Sequence, residues 1–294
     1  MAFEILDSLS LPGDPLKPNE DAFAQDDHAA AVFDGATGLG DMLMPGPSDA
    51  AWIAQFGARR VMAHLREGES PGRALRNALA DAEQSFKGLR RRPPDAQWEL
   101  PCASMILAVE ARTNETDQQA GKDRKGANVE FLWFGDCGGL LARNGAVEVI
   151  GETLVKRAAE AKRASAIAQA KNVSPAGSLN RCDFITQLRK ARDFVNSGNY
   201  WLFSPNVAAA THAARTIVPV APGDHLLLAS DGFLALASDY GAYDAAGLMA
   251  AAMDKGLAAL GRELRAIEDA DPGGDKYARF KKSDDATAVL LKIA

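Results

Sequence analysis

The amino-acid sequence predicts a layered α+β fold with antiparallel strands. Two observations support this prediction. Short apolar segments rich in β-forming residues recur along the chain, several of them joined by tight turns, and they alternate with pairs of amphipathic helical segments. Tight turns connect antiparallel strands, because parallel strands need a long crossover. The pattern therefore favours antiparallel sheets packed on helices over a doubly wound parallel sheet.

The first hundred residues predict strands followed by helices. Residues 3–11 and 29–33 are alternating or apolar and each ends at a turn sequence, which predicts two strands. Apolar side chains recur every four residues from Ile53 to Leu65, as they do on one face of a helix. Ser70 is suited to the N-cap of a second helix, with Pro71 at its first position.

The rest of the chain returns to strands with helical segments between them. Strands are predicted at 103–111, at 129–136, on both sides of the hairpin signal Asn144-Gly145, before Asp231 and over the closing ATAVLLKI. Helical segments are predicted at 152–171, 180–196 and 244–268. No repeat or low-complexity linker divides the chain. We therefore expect a single domain, residues 1–294, with a helical, flap-like insert at about 152–215.

Composition and charge exclude several classes of protein. The chain of 294 residues carries 33 Lys and Arg against 39 Asp and Glu, a formal net charge of −6, and a nucleic-acid-binding surface is not expected from this balance. Three cysteines without a CxxC pair form neither a zinc finger nor a disulfide framework. The first residues lack the basic and apolar regions of a secretion signal, and no apolar run reaches the roughly 18 residues of a membrane span. A cytoplasmic protein is the expectation.

Acidic residues recur beside the predicted strand ends. They are Glu20-Asp21, Asp34, Asp136, Asp231 and Asp284-Asp285. Any one of them is explained by a turn, because Asp is common there. Strands that end at one rim of a sandwich would bring the group together, however, and clustered carboxylates repel one another unless cations neutralise them. Ligands that are all oxygen favour Mg²⁺ or Mn²⁺ over zinc, so the pattern predicts a site for a hard cation.

Five motifs follow one another between Asn19 and Leu291: NEDAF, VFDGATG, FGDCGG, LLLASDGF and SDDATAVLL. In order and wording they resemble the PPM family of metal-dependent protein phosphatases, the type 2C serine/threonine phosphatases, in its bacterial form. The resemblance implies an α/β/β/α four-layer sandwich, in which two antiparallel β-sheets are flanked by helices. It also implies a signalling hydrolase that removes phosphate from phosphoserine and phosphothreonine in proteins, with the targets of a bacterial Ser/Thr kinase as candidate substrates.

The resemblance further implies roles for individual residues. Two Mg²⁺ or Mn²⁺ ions would activate a bridging water that attacks phosphorus directly. A third, more weakly bound ion would lie near Asp136. The implied metal ligands are Glu20, Asp34, the carbonyl of Gly35, Asp136, Asp231 and Asp284, with Asp34 and Asp231 as catalytic residues. Asp21 and Asp285 would orient the ligands and their waters. No cysteine nucleophile is needed, so Cys137 is interpreted as a small packed residue, and His64, which lacks a partner at a recognisable spacing, as structural.

Three positions depart from the family pattern. Leu16 stands where many members carry a phosphate-binding Arg, which leaves the neighbouring Lys17 as a candidate point charge for phosphate. Ala36-Thr37 stands where eukaryotic members carry a His that acts as general acid; His28 is either its replacement or an ordinary residue at a strand edge. Asp285 replaces the usual Asn, and its extra charge would tighten or misalign metal binding.

Two other functions remain open at this point. A regulatory pseudophosphatase, which binds a phosphoprotein with little turnover, is consistent with the missing Arg and His, whereas the complete set of metal-binding acids argues against it. A metal-dependent phosphohydrolase of small phosphate esters is also consistent, because no peptide-binding groove is recognisable. The basic segment 152–196 fits either a flap that selects the substrate or a plain solvated helix face.

Overall fold

The computed structural model describes residues 2–111, 127–151, 185–277, 279 and 281–294. The strands are β1 (Phe3–Leu11), β2 (Asp21–Gln25), β3 (Ala29–Gly35), β4 (Ala103–Ala111), β5 (Ala127–Phe134), β6 (Gly138–Arg143), β7 (Ala146–Ile150), β8 (Ala214–Val220), β9 (His225–Ala229) and β10 (Ala286–Ile293). The helices are α1 (Asp49–Arg66), α2 (Pro71–Leu89), α3 (Ile185–Arg192), α4 (Asp231–Ser238), α5 (Ala245–Lys255) and α6 (Leu257–Ala270), with short 3₁₀ segments at Gln97–Glu99 and Val207–His212.

The strands form two five-stranded antiparallel sheets. Sheet A has the order β1-β10-β9-β6-β7, and sheet B has the order β2-β3-β4-β5-β8. In sheet A, β1 pairs with β10 over its whole length, from Phe3 opposite Ile293 to Leu11 opposite Ala286. In sheet B, β2, β3, β4 and β5 are consecutive antiparallel neighbours. Only three residues separate β2 from β3, whereas α1 and α2 lie between β3 and β4.

Three apolar clusters separate four layers. One lies between the sheets and includes Val32 and Phe131 from sheet B and Leu228 and Val289 from sheet A. A second packs the other face of sheet B against α1 and α2, and a third packs the other face of sheet A against α4, α5 and α6. Alternate residues of a strand point to opposite faces, so each sheet contributes to two cores. The predicted α/β/β/α sandwich of antiparallel sheets is confirmed.

Serine residues occupy the N-cap positions of both helices over sheet B, as the sequence predicts for α2. The side-chain oxygen of Ser48 accepts hydrogen bonds from the backbone N–H groups of Ala50 and Ala51, which caps α1. Ser70 occupies the N-cap of α2 with Pro71 directly after it, although its side chain makes no capping hydrogen bond. The predicted four-residue repeat is the buried stripe of α1 from Ile53 to Val61, and Leu65 at its end is partly buried.

The structure departs from the sequence expectations in several places. Residues 244–268 form two helices, because Gly256 adopts a φ of +78° between them. The segment Asp21–Gln25 is a strand that the pattern did not predict. Asp231 begins a helix, with only Ser230 between it and the end of β9. Residues 152–184, about half of the predicted insert, lie outside the described residues, and β8 starts at Ala214, within its predicted bounds. Within the described ranges, no helix is long and apolar enough to cross a membrane.

Candidate metal centre

Neighbouring strands of sheet B bring three of the predicted acids to one rim. Asp34 near the end of β3 lies directly opposite Asp21 of β2 and Ser104 of β4. Asp136 follows β5 after Gly135, whose φ of +68° turns the chain, and its carboxylate accepts a hydrogen bond of 2.5 Å from the Ser104 hydroxyl. The antiparallel register therefore places these acids on adjacent strand ends.

Sheet A supplies Asp231 from the opposite side. The chain leaves β9 at Ser230, whose backbone N–H donates to the Thr287 carbonyl over 2.9 Å, while the Thr287 N–H donates to the Ser230 hydroxyl over 2.9 Å. This two-way contact fixes the start of α4 on β10. Asp231, in the first turn of α4, is 7% exposed and points across the interface between the sheets.

Asp34, Asp136 and Asp231 form a carboxylate cluster. One oxygen of each can be chosen so that all three atoms lie within 4.8 Å of one another. Burial raises the pKa of Asp34 well above its ordinary value, and the negative charges of Asp231, Asp21 and Asp136 raise it further. Three carboxylates at this separation are stable in their ionised form only with positive charge between them, so the all-oxygen donor set fits a hard divalent cation.

Asp21 lies behind this cluster with both carboxylate oxygens buried. Neither oxygen makes a hydrogen bond of good geometry to any described residue. Burial raises the pKa of Asp21 well above its ordinary value, the hydroxyl groups of Ser230 and Thr287 act against this, and the charge of Asp285 adds to it. Buried acceptors without donors need either a proton or ordered water. Asp21 is therefore placed to accept hydrogen bonds from water inside the site, in keeping with the predicted orienting role.

Glu20 lies beside Gly35, outside the cluster of three carboxylates. Its carboxylate accepts hydrogen bonds from the hydroxyl groups of Thr37, over 2.5 Å, and of Ser48. The Gly35 N–H donates to the Glu20 carbonyl over 3.0 Å. A Cβ atom at position 35 would lie 2.5 Å from the carbonyl oxygen of Ala50, so only glycine fits there. Thr37, which the sequence analysis treated as a loss, thus has a role in holding the Glu20 carboxylate.

Asp284 is paired with a lysine that the sequence analysis did not identify. The Lys281 Nζ atom lies 2.8 Å from Asp284 Oδ1. Partial burial acts to lower the pKa of Lys281, but the carboxylates of Asp284, Asp34 and Asp231 raise it well above its ordinary value. Lys281 is therefore a permanent cation at the edge of the acidic cluster. Its position three residues before Asp284 is the only sequence signal that points to it.

Asp285 connects the two ends of the site. One of its oxygens accepts the N–H of Gly13 over 2.7 Å, and the other accepts the N–H of Glu20 over 2.6 Å. Asn in this position would offer one acceptor oxygen in place of two. The departure from the family pattern thus has a structural reason: the carboxylate fixes the backbone that presents Glu20.

The two candidate replacements for missing family residues differ in position. Lys17 lines the same cavity, of about 820 Å³, as Glu20, Lys281 and Asp284, although its side chain is 75% exposed and its ammonium pairs with Asp14 over 3.4 Å. His28 precedes β3, whereas Asp34 lies six residues further along it, about 20 Å away at the usual strand rise. His28 is bonded there to Glu110 over 2.8 Å and is an edge residue, too far to act as general acid.

Helix α3, which begins the described part of the predicted insert, packs beside the site. The Arg192 guanidinium donates to the Thr37 carbonyl over 2.8 Å, and Arg189 donates to the Leu39 carbonyl over 2.7 Å. The Arg189 guanidinium also lies 4.2 Å from the centre of the Trp98 ring. These contacts tie α3 to the loop that follows Asp34 and Gly35. Cys137, by contrast, is fully buried and its thiol pKa is raised by burial and by Asp34, so it is not a nucleophile.

Several solved protein phosphatases have a similar fold. The serine/threonine phosphatase PstP/Ppp of Mycobacterium tuberculosis has a TM-score of 0.56 and 16% identity, with 100% of this chain and 99% of that chain covered. The PPM Ser-Thr phosphatase MsPP of Mycobacterium smegmatis, in complex with cacodylate, has a TM-score of 0.54 and 16% identity, with 99% of each chain covered. The catalytic domain of PstP in complex with two manganese ions has a TM-score of 0.53 and 16% identity, with 99% and 98% covered.

Sequence comparison adds nothing further. No protein-family model matches the chain. No curated protein matches it either. At 16% identity, likeness to solved structures defines the fold and leaves the reaction to be argued from the site. The chain has the fold of the bacterial PPM-type serine/threonine phosphatases.

Proposed function

We propose that this protein is a Mg²⁺- or Mn²⁺-dependent phosphatase that hydrolyses phosphoserine and phosphothreonine in proteins. The observation that carries the proposal is the convergence of Asp34, Asp136 and Asp231, from both sheets, within 4.8 Å at one rim of the sandwich. The motif resemblance supports the same reading, and so does the fold, which a phosphatase with two bound manganese ions shares.

The carboxylates of Asp34, Asp136 and Asp231 would hold the ions, with Glu20, the Gly35 carbonyl and Asp284 completing the set. Divalent cations bound there supply a water nucleophile at neutral pH and stabilise negative charge on the phosphoryl group. Asp21 holds water in the site through its two buried, unpaired oxygens. The Asp285 carboxylate accepts a hydrogen bond from the Glu20 N–H and so fixes the Glu20 backbone.

The cavity next to the acids suits a phosphate carried on a larger molecule. It is open on one side, and three of its lining residues are lysines: Lys17, Lys281 and Lys282. Lys17 and Lys281 attract the phosphate as point charges, since no Arg of the family kind lies at position 16. The proposed substrates are cytoplasmic phosphoproteins, including the targets of a bacterial Ser/Thr kinase, and the proposed role is in signalling.

The test is hydrolysis of an aryl phosphate and of phosphothreonine peptides, with and without Mn²⁺. Four proteins are compared: the parent, Asp231→Asn, Asp34→Asn and the exposed control Asp254→Asn. We expect Mn²⁺-dependent turnover in the parent and the control, and losses of at least about 100-fold in the two site variants. A parent without metal-dependent turnover would overturn the proposal, and equal turnover in all four proteins would overturn the assignment of ligands.

One observation favours weak turnover combined with phosphoprotein binding. The Lys281 ammonium already pairs with Asp284, a predicted metal ligand, over 2.8 Å. A regulatory pseudophosphatase would bind phosphopeptides with micromolar affinity while hydrolysing neither peptides nor aryl phosphate. Preference for peptides over small esters, measured as a ratio of kcat/KM values, separates the proposed enzyme from a phosphohydrolase of small molecules.

A further inference from the structure

A second cluster of metal-binding side chains lies at the junction of α1 and α2, away from the carboxylate rim. It contains His64, in the last turn of α1, together with Glu67 and Glu69 from the loop that follows. Helix α1 begins at Asp49, which lines the cavity of the candidate metal centre, and His64 lies fifteen residues further along. At the usual helical rise this separates the two places by about 22 Å.

A tight turn gathers the three side chains. Gly68 has a φ of +89°, which lets the chain reverse directly after the helix. The Glu69 N–H then donates to the His64 carbonyl over 3.2 Å. Asn77, on α2, donates from its side-chain amide to both carboxylate oxygens of Glu69, over 2.8 and 2.9 Å. The carboxylate of Glu69 is thereby held against α2.

The imidazole of His64 is oriented with one nitrogen aimed at these carboxylates. Its Nε2 atom lies 2.8 Å from Asp81 Oδ2, and since an ionised carboxylate only accepts, Nε2 carries a hydrogen. The Nδ1 atom is buried and finds no hydrogen-bond partner among the described residues, while Oε2 of Glu67 and Oε2 of Glu69 each lie 3.7 Å from it. His64 as a whole is only 9% exposed.

With the hydrogen on Nε2, a neutral ring presents a buried Nδ1 lone pair to two carboxylates, which is unfavourable without a cation or a proton between them. Arg60 does not serve, because its guanidinium is bonded to Asp81. Three carboxylates and one guanidinium therefore surround the imidazole. A hydrogen bond from a metal-binding His to a carboxylate, here Asp81, is the usual way in which proteins fix the ring for its metal.

We propose that His64 Nδ1, Glu67 and Glu69 form a binding site for a zinc ion. One imidazole nitrogen with two carboxylates suits zinc, whereas Mg²⁺ prefers oxygen alone. With metal–ligand bonds of about 2.1 Å, donor atoms 3.7 Å apart subtend an angle of about 120° at the ion, which three protein ligands can provide. The Glu67 side chain is 70% exposed, so water completes the coordination, and the ion links the end of α1 to the start of α2.

The test is zinc binding by metal-free protein, measured by isothermal titration calorimetry in excess Mg²⁺. The parent is compared with His64→Gln, Glu67→Gln, Asp231→Asn and the matched control His28→Gln, a histidine whose Nδ1 is already bonded to Glu110. We expect His64→Gln to lose one zinc ion per chain. Glu67→Gln, a change at an exposed side chain, should weaken the binding of that ion by more than about tenfold. Roughly tenfold is the cost of losing a group that only hydrogen-bonds to a metal ligand. His28→Gln and Asp231→Asn should keep it.

A second readout is the thermal stability of the protein. Zinc at about 100 times its dissociation constant should raise the Tm of the parent by about 4 °C and leave that of His64→Gln unchanged. Equal zinc stoichiometry in the parent and His64→Gln would overturn the proposal. So would loss of the ion in Asp231→Asn alone, since the zinc would then bind at the carboxylate rim. Absence of zinc binding to the parent would show that a proton satisfies Nδ1.

Discussion

Replacing Asp34 by Asn should have opposite effects on the metal-free and the metal-loaded protein. In the absence of cations, Asp34 faces Asp136 and Asp231 within 4.8 Å. Two unit charges at that distance repel by about 3.5 kcal/mol at an effective dielectric constant of about 20. Partial protonation relieves some of this, because burial and the neighbouring charges raise the pKa of Asp34. We therefore expect Asp34→Asn to stabilise the metal-free protein by about 1–2 kcal/mol, or about 2–3 °C in Tm.

The sign and the pH dependence follow from the same shift. A carboxyl group whose pKa is raised in the folded state favours folding at low pH and loses that contribution as the pH rises. The gain from Asn should therefore grow with rising pH and vanish below the ordinary value of 3.8, where Asp34 is protonated in both states. The assay is thermal unfolding in EDTA and in Mn²⁺, followed by circular dichroism from pH 4 to pH 8.

In Mn²⁺ the order should reverse, because the parent binds the cation through Asp34 and the variant lacks this ligand. The exposed change Asp254→Asn serves as the control and should match the parent under both conditions. A metal-free Asp34→Asn protein less stable than the parent would refute the reasoning, since the three carboxylates would then not be repelling one another. Equal stabilisation of both proteins by Mn²⁺ would remove Asp34 from the ligand set.

Three further changes test other contacts. Lys281→Gln should tighten Mn²⁺ binding in calorimetric titrations, because it removes a cation 2.8 Å from Asp284. The control Lys282→Gln, whose lysine pairs with Asp269, should bind Mn²⁺ as the parent does. Equal Mn²⁺ affinities in Lys281→Gln and the parent would contradict this. Asp285→Asn should lower the free energy of unfolding in urea by about 1–3 kcal/mol, because one of the two backbone N–H groups loses its acceptor. An unchanged unfolding midpoint would show that both N–H groups still find acceptors. Arg92 lowers the pKa of Glu99 to about 2. Glu99→Gln should therefore reduce the free energy of unfolding above pH 4.5, and progressively less as the pH falls toward 2. A difference in free energy between parent and variant that does not change with pH would argue against the ion pair.

The antiparallel α+β arrangement was predictable because its strands carry a strong local signal, whereas the four-layer sandwich followed from the motif resemblance. Apolar runs such as 103–111 and the closing strand are rich in β-forming residues, and tight turns such as Asn144-Gly145 predict antiparallel neighbours. The strand Asp21–Gln25 has no comparable signal, since its five residues are mixed in character and it is stabilised by pairing with β3. Gly256 divides the last helical segment through its backbone conformation, which composition does not reveal.

The acids of the candidate centre were predictable for a similar reason, because each adjoins a strand end. The structure brings Asp34, Asp136 and Asp231 together, and their binding of metal stays a prediction. The partners that tune the site were not predictable. Thr37 and Ser48 reach Glu20 from separate segments, so no spacing in the sequence links them. Glu67 lies three residues after His64, a spacing too common on helices to predict a metal site, and only the turn at Gly68 brings Glu69 beside them.

The pairing of β1 with β10 has a consequence for the order of folding. Phe3 lies opposite Ile293, so this contact joins residues that are 290 positions apart in the sequence, and β10 lies in the interior of sheet A. Contacts of such separation form late, because closing a long loop costs entropy before any pairing is gained. Asp285, directly before β10, reaches Glu20 only after that closure. A cation held at the rim should therefore slow unfolding while leaving the refolding rate nearly unchanged.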